Sequence, residues 1–372
     1  MRNVYVVADN IYSPLGRNTR DNIDALKQGR SGIQLHSGNL SSGPFYASLF
    51  DPTYKMEDES KTFFEQIVLA SALDAMNQAD IRQPDNRTGF ILSSTKGNIS
   101  LIENPQGKSY PENKIALHTS ASVVARELGF SSEPLVVSHA CISGLLAMIT
   151  GMRLIQAGLY DTLVITGADL ITTFIFSGFL SFQAISRNPC KPFDAERDGI
   201  SLGEAAATVV LSANKHPGAV LLSGGSVSND ANHISGPSRT GEELWLAIRR
   251  SLEQAGIDAK EIDFISAHGT ATRYNDEMEA KAIHLASMEK IPLNSLKGYY
   301  GHTLGAAGIL ESIVTIHSMK ENILFPTLGF STPGTELPVN VVKEISKSDL
   351  HRTLKTASGF GGCNAALIMI KD

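Results

Sequence analysis

The sequence of 372 residues predicts an α/β fold in which helices cover the faces of the sheets. Strand-like apolar segments alternate with segments of helical rhythm along the chain, which is the pattern of sheets covered by helices. The predicted strands are apolar at nearly every position, too uniformly for a sheet with one wet face. The alternation starts again after the polar segment 212–218. We therefore predict two halves, 1–213 and 214–372.

Each half contains several predicted strands and helices. The helix at 60–79 rests on the apolar spacing of Phe63, Ile67 and Met76. Thr19 is the predicted cap of a helix that Gly29 ends. The predicted strands lie at 4–8, 88–94, 135–138, 162–166, 206–211, 219–223, 262–267, 353–357 and 365–370. The remaining predicted helices lie at about 141–157 and 242–255, and begin near 276 and 304.

The bulk composition excludes several classes of function. The formal net charge of −6 gives no basic footprint, so we expect no nucleic-acid partner. Three cysteines without a CxxC pair argue against a disulfide framework and a metal site. No segment reaches the roughly 18 apolar residues of a membrane helix. The start of the sequence does not read as a signal peptide. The sequence therefore predicts a cytoplasmic protein with no membrane partner.

A cysteine at the start of a predicted helix is the first candidate for chemistry. Cys141 directly follows the strand at 135–138. Backbone N–H groups and the positive end of the helix favour a thiolate there, by about 0.3–1 kcal/mol. A cysteine considered alone is more often a packed core residue, and we assign that packing role to Cys190 and Cys363. The segment by itself leaves both interpretations of Cys141 open.

Two histidines in the second half are the next candidates. His268 follows the strand at 262–267, and active-site loops gather at such strand ends. Thr270 and Thr272 place two hydroxyl groups beside it. His302 lies in a glycine-rich segment that an elongated ligand could reach. Each histidine, considered alone, could equally be a structural residue.

The surroundings of His302 resemble those of the cysteine. Lys297 precedes it, and Glu311 lies on the predicted helix that follows. The segments 138–146 and 300–308 each put a reactive side chain at the entry to a helix rich in small residues. A duplicated fold in which both helix starts face one site would explain this similarity.

The last candidate is the loop Ser-Gly-Phe-Gly-Gly-Cys-Asn at 358–364. Its glycines leave backbone N–H groups free to bind an oxyanion. No Lys-Ser or Lys-Thr pair follows, so the loop does not fit a phosphate-binding pattern.

In this order, the motifs resemble those of the β-ketoacyl-acyl-carrier-protein synthases. The shared patterns are the Ala-Cys elbow at 140–141, His-Gly-Thr-x-Thr at 268–272, Lys…Gly-His-Thr-x-Gly-Ala-Ala-Gly at 297–308 and Gly-Phe-Gly-Gly-x-Asn at 359–364. The run Pro-Phe-Asp-x-x-Arg-Asp-Gly at 192–199 adds a fifth match. The resemblance implies a thiolase-like fold, in which two pseudo-repeated halves form a five-layered αβαβα sandwich, usually as a dimer.

The resemblance also implies roles. Cys141 would accept an acyl group from the phosphopantetheine of an acyl carrier protein, so the enzyme needs no cofactor of its own. His268 and His302 would hold the malonyl thioester and stabilise its enolate, a pair typical of elongating synthases. The backbone N–H groups of Cys141 and Phe360 would form the oxyanion hole. The supporting residues would be Lys297 and Glu311 as charges, Thr270 and Thr272 on the pantetheine arm, Phe360 as acyl gate and Arg187 in carrier docking.

The chain also departs from the family pattern. His139 and Ser358 stand where the family has other residue types, and 120–130 lacks the usual wall of the acyl pocket. The basic docking helix is reduced to Lys55 and Lys61. The chain is also shorter than a typical family member before Cys141 and between Phe182 and Pro192, and this shortened pocket region favours a specialised polyketide or polyene pathway over general fatty-acid synthesis. The alternative function is a chain-length-factor-like partner subunit, a class that characteristically lacks the nucleophile retained here.

Overall fold

The computed structural model describes residues 2–38, 40–51, 58, 60–103, 112–231 and 234–371, so Lys55 lies outside the described residues. The strands of the first half are β1 (Tyr5–Tyr12), β2 (Gln34–Gly38), β3 (Ser41–Ser48), β4 (Thr88–Ser93), β5 (Leu135–Val137), β6 (Thr162–Asp169), β7 (Leu202–Gly203) and β8 (Ala205–Ser212). Its helices are α1 (Thr19–Lys27), α2 (Phe63–Gln78), α3 (Leu117–Glu127), α4 (Ser143–Gln156) and α5 (Thr173–Ser181).

The second half repeats the alternation. Its strands are β9 (Val220–Asn229), β10 (Phe264–Ser266), β11 (Leu293–Asn294), β12 (Ile323–Leu324), β13 (Ser346–Lys347), β14 (Arg352–Gly359) and β15 (Cys363–Ile370). Its helices are α6 (Glu242–Ala255), α7 (Arg273–Leu285), α8 (Lys297–Tyr300) and α9 (Ala307–Glu321). None of the helices in the described part of the chain combines the length and the apolar character that a membrane span requires.

The large sheet consists of two five-stranded parts with the same strand order. The parts are β1-β8-β6-β4-β5 and β9-β15-β14-β10-β11. Numbered along the chain within each part, both orders are first, fifth, fourth, second, third. The fifth strand is antiparallel to both neighbours, whereas the second, third and fourth strands run parallel. A duplicated unit produces this identity, and an antiparallel β1–β9 pair joins the parts.

Helices on both sides of the two parts complete the layers. Helices α4 and α9 lie between the two five-stranded parts of the sheet, and each helix contacts strands of both parts. Helix α2 packs on the first part, and α6 packs on the second beside α7. The large sheet and its covering helices confirm the predicted α/β, thiolase-like sandwich. The boundary between 213 and 214 stays a prediction.

The central helices approach each other through small residues. A Cβ atom on Gly144 of α4 would lie 2.8 Å from the carbonyl oxygen of Gly305, just before α9. No larger residue fits there without moving the backbone. The expected close packing of the two helices is therefore present, and it brings the segments around Cys141 and His302 to the middle of the molecule.

Several local predictions differ from the structure. Asn18, not Thr19, caps α1: its side chain accepts from the backbone N–H of Asp21 at 2.9 Å. The Thr19 hydroxyl instead donates to the buried Asp9 at 2.8 Å. The patterns missed β2, which is largely exposed, and also β3, α3 and α5. Helix α9 begins later than expected because residues 304–306 form a 3-10 turn.

Candidate active site

The candidate site lies where the carboxyl ends of parallel strands from both halves meet. Cys141 follows β5, His268 follows β10, and Phe360 follows β14. His302 comes after β11 and the short helix α8. The carboxyl ends of parallel strands are where open α/β sheets place their ligands. Four separate sequence motifs therefore reach one place in the fold.

A strained turn presents the cysteine. Ala140 adopts a φ of +46°, a left-handed conformation that costs free energy in a residue with a Cβ atom. Ser143, the first residue of α4, braces the turn: its hydroxyl accepts from the backbone N–H of His139 at 2.7 Å and donates to the carbonyl oxygen of Ala140 at 2.6 Å. Cys141 thus lies at the tip of a turn between strand and helix.

The glycine-rich loop lies against this turn. A Cβ atom on Gly359 would lie 2.9 Å from the backbone nitrogen of Cys141, so a glycine is required for this approach. The backbone N–H of Phe360 lies near enough to the Cys141 thiol to act toward lowering its pKa. The Phe360 ring packs on Phe179 and Phe182, with centroids 5.5 and 5.2 Å away. The two residues predicted to form the oxyanion hole therefore lie together.

The two histidines form a buried pair. Their ring centroids lie 5.3 Å apart, and the rings are almost perpendicular, at 83°. Burial, reinforced by Lys297 and Lys355, holds the pKa of both His268 and His302 well below its usual range. Both rings are therefore neutral at pH 7, and each carries one N–H donor. Nδ1 of His268 and both ring nitrogens of His302 have no hydrogen-bond partner among the described residues.

Buried charges surround the pair. Lys297 forms an ion pair with Glu311, and its Nζ donates to the carbonyl oxygen of His268 at 3.0 Å. Lys355 lies 2.8 Å from the other carboxylate oxygen of Glu311, so two lysines share one glutamate. The sequence patterns identified Lys297 and Glu311 but missed Lys355. The sequence feature that could have identified Lys355 is its position in the middle of the predicted strand at 353–357.

Two more carboxylates, also missed from the sequence, fix the histidine loop. Glu279 accepts from the backbone N–H groups of His268 and Gly269, both at 2.8 Å. Asp276 accepts from the backbone N–H of Thr270 at 2.9 Å. The hydroxyl oxygens of Thr270 and Thr272 lie 2.8 Å apart. Both carboxylates lie on α7, so one helix holds the loop that carries His268 and the two threonines.

A third missed carboxylate, Asp169 at the end of β6, fixes the other side. It accepts from the backbone N–H of Gly305 at 2.7 Å and from that of Thr95 at 2.9 Å. These bonds tie the turn after His302 to the loop after β4. Contacts of this kind join residues far apart in the chain, and no local pattern announces them.

The two docking candidates differ in availability. Arg187 lies in the loop after α5 and is exposed. The side chain of Lys61 is only 13% exposed and is paired with Asp58 and Glu127. Of these two basic residues, Arg187 is the one that a protein partner can reach. Within the described ranges, no group of three or more His, Cys, Asp or Glu side chains is placed to hold a metal ion.

The nucleophile candidate is a thiol in the resting protein. Burial raises the pKa of Cys141 to about 11, although Lys297 and the Phe360 N–H act in the opposite direction. The helix start alone favours a thiolate, but burial outweighs that contribution. Deprotonation therefore has to accompany the attack on a substrate, and a neutral histidine is a suitable proton acceptor.

This pKa predicts the pH dependence of alkylation. A group with a raised pKa stays protonated to higher pH, so the iodoacetamide rate at Cys141 should rise about tenfold per pH unit from pH 7 to 10. Peptide mass spectrometry would measure the rate. An unstructured cysteine-containing peptide is the control, because its rate should level off above the ordinary cysteine pKa of about 8.5. A Cys141 rate that levels off below pH 8 would contradict the prediction.

Comparison with known proteins identifies the family. The model described as "Beta-ketoacyl synthase, N-terminal domain" matches residues 1–216, and "Beta-ketoacyl synthase, C-terminal domain" matches residues 219–331. The chain belongs to the β-ketoacyl synthase family. It is an acyl-transferring condensing enzyme, which confirms the family and function that the motifs predicted.

Individual relatives agree with this assignment. The 3-oxoacyl-[acyl-carrier-protein] synthase 2 of Vibrio cholerae is 28% identical, over 99% of this chain and 98% of that protein. Among solved structures, a chain of the complex between the ketosynthase ApeO and its chain length factor ApeC from Xenorhabdus doucetiae matches with a TM-score of 0.89. That match has 28% identity and covers 100% of this chain and 98% of the other. The ishigamide ketosynthase/chain length factor matches with a TM-score of 0.89 and 26% identity, over 100% and 99% of the two chains.

Proposed function

We propose that the chain is an elongating β-ketoacyl-acyl-carrier-protein synthase with Cys141 as nucleophile and His268 and His302 as the catalytic histidines. One observation carries the proposal: the buried Lys297 donates to the carbonyl oxygen of His268 at 3.0 Å, beside the two rings, and its charge lowers the pKa of both rings and of the Cys141 thiol. A nucleophile, two neutral N–H donors and an oxyanion hole therefore share one buried charge environment.

The first step is acyl transfer. The Cys141 sulfur attacks the carbonyl carbon of an acyl-pantetheine thioester, and the thiol proton passes to a neutral histidine. The new bond joins Sγ to the acyl carbon, and the bond from that carbon to the pantetheine sulfur breaks. The departing pantetheine sulfur takes up the proton. The backbone N–H groups of Cys141 and Phe360 stabilise the oxyanion, and such a donor contributes about 2.7–4 kcal/mol to lowering the barrier.

The second step is decarboxylative condensation. The malonyl thioester loses CO₂, and the electron pair of the broken C–C bond forms an enolate. Neutral His268 and His302 donate hydrogen bonds to the thioester oxygen, where the charge develops. The enolate carbon attacks the acyl group on Cys141, which forms a new C–C bond and breaks the C–S bond. The cysteine thiolate then takes up a proton from solvent, and the β-ketoacyl chain leaves on its carrier.

The remaining site residues have supporting parts in the proposal. Lys297 and Glu311 form a buried ion pair beside the histidines and support their position. Thr270 and Thr272 contact the pantetheine arm. Phe360 gates the acyl pocket, which its packing on aromatic residues of and just after α5 supports. The phosphopantetheine arrives on the carrier protein, so no cofactor of the enzyme's own takes part.

The partners in the proposal are an acyl carrier protein, which Arg187 helps to dock, and a second synthase-like subunit. A homodimer and a heterodimer both fit the family. The heterodimer is supported by two solved structures that pair a ketosynthase with a chain length factor. We assign the active role to this chain because it retains the complete cysteine and histidine set. The proposal also places the enzyme in the cytoplasm and in a specialised polyketide or polyene pathway. It divides the chain into two halves at 213/214.

Acyl labelling of the wild-type protein tests the proposal. Incubation with acyl carrier proteins of different chain lengths should add the mass of one acyl group, and peptide mapping should place it on Cys141. Prior alkylation with iodoacetamide should block the adduct, which serves as the control. A folded protein that takes up no acyl group from any carrier would instead indicate a chain-length-factor-like subunit.

A further inference from the structure

A second buried lysine lies beside the histidine pair, and the proposed mechanism does not use it. Lys355, in the middle of β14, is 0% exposed. Its Nζ contacts Glu311 of α9 at 2.8 Å and donates to the carbonyl oxygens of Ser266 and Ala267 at 3.1 and 3.3 Å. The ammonium therefore ties β14 and α9 to the end of β10, the strand that leads directly into His268.

Within the buried group formed by Glu311, Glu279, Lys297 and Lys355, the charges balance only when Lys355 is counted. Glu311 and Glu279 supply two carboxylates, and Lys297 and Lys355 supply two ammonium groups, all of them buried. Glu311 contacts both lysines, whereas Glu279 accepts from the backbone N–H of His268. Without Lys355, two carboxylates face one ammonium group. Uncompensated charge in a protein interior is costly, and here it would be negative.

An excess negative charge at this place would oppose the malonyl half of the reaction in particular. The malonyl unit enters with a carboxylate, and its decarboxylation creates an enolate. Both species are anionic and would be repelled. We propose that Lys355 is a positioning residue for malonyl condensation: it holds Glu311 and the strand end before His268, and it balances the buried charge against an anionic substrate. This inference rests on the proposed function.

The acyl-transfer half should be much less sensitive to Lys355. The charged groups with the largest effects on the Cys141 pKa are Lys297, Asp169 and Lys96. Lys355 acts instead on the two histidines, where it helps to lower the pKa of each ring. Burial lowers the pKa of Lys355 itself, and the carboxylate of Glu311 opposes that shift. Comparing the rates of acylation and condensation in Lys355 variants therefore distinguishes a charge effect from general damage to the fold.

Three substitutions test the inference. Lys355→Gln keeps N–H donors without the charge, Lys355→Met removes both, and Lys355→Arg keeps the charge. The measurements are the rate of Cys141 acylation, by intact mass, and kcat and KM for the malonyl carrier. We expect Gln and Met to lower kcat/KM for the malonyl carrier by about tenfold or more, with acylation changed less than about twofold. Arg should retain more condensation than Gln.

Several results would overturn the inference. These are unchanged condensation in Lys355→Gln, equal losses in the Gln and Arg variants, and a parallel loss of acylation in folded protein. If only Lys355→Met fails to fold, the Gln and Arg variants decide. Failure of all three to fold would assign Lys355 a purely structural role and would also overturn it. A wild-type protein that is never acylated counts against the proposed function, which is a separate outcome.

Discussion

A Cys141→Ala variant is expected to lose the acyl adduct and to lower the condensation rate by at least about a thousandfold, as removal of a catalytic nucleophile does. The alanine removes the sulfur that forms the thioester but keeps the Cβ atom at the tip of the turn. The fold should therefore persist. Intact-mass spectrometry would report the adduct, and mass-spectrometric detection of the β-ketoacyl carrier would report condensation.

The matched control is Cys190→Ser. Cys190 is also buried, and its thiol donates to a backbone carbonyl at 3.3 Å, a bond that a serine hydroxyl can replace. This variant should still be acylated once per chain. An adduct that persists in Cys141→Ala, or disappears in folded Cys190→Ser, would contradict the assignment of the nucleophile. Thermal unfolding of both variants shows whether the comparison is made on folded protein.

Replacing either histidine of the pair is expected to separate the two half-reactions. His268→Ala and His302→Ala should each lower malonyl condensation by about 10²–10³-fold, because each removes one donor to the developing enolate. Acylation of Cys141 should be affected less, because the other histidine of the pair remains to accept the thiol proton. The oxyanion hole of that step is made of backbone N–H groups, which the substitutions leave in place. The ratio of condensation to acylation, measured on one protein sample, checks the prediction.

Two further variants control this experiment. His302→Asn keeps a neutral N–H donor and should retain more condensation than His302→Ala. His351→Ala removes a histidine that is 47% exposed and paired with Asp349, and it should leave both half-reactions unchanged. Equal loss of acylation and condensation in the His268 and His302 variants would mean that the rings act mainly on the cysteine.

The site residues that could be predicted from the sequence are those that belong to short local motifs. Cys141 and His268 each follow a predicted strand, His302 lies in a glycine-rich segment before a predicted helix, and patterns of this kind are local in the sequence. Lys297 and Glu311 were found because they flank one of these residues. All five lie around one buried cluster in the structure. They are far apart in the sequence, so their spacing along the chain did not predict that they would meet.

The missed residues are those whose role exists only in the folded chain. Lys355 lies inside a buried strand, and its partners, two carbonyl oxygens at the end of β10 and the carboxylate of Glu311 on α9, are brought to it only by the fold. Asp169 ends a buried strand and meets Gly305, which is 136 positions away. The caps of α1 show the same limit on a small scale, because the buried Asp9 engages the hydroxyl that would otherwise have capped the helix. Tertiary contacts overrule the local preference in each case.

The shared strand order has a consequence for how the enzyme prepares its reaction. Cys141 comes after the third strand of one five-stranded part, and His302 comes after the third strand of the other. The two residues therefore follow equivalent strands, β5 and β11. The close approach of Gly144 and Gly305 sets the distance between the two segments that carry them. Their alignment exists before any substrate arrives, so little binding energy has to be used to create it. The common frame therefore holds the residue proposed to carry the acyl group and a residue proposed to stabilise the enolate in fixed register.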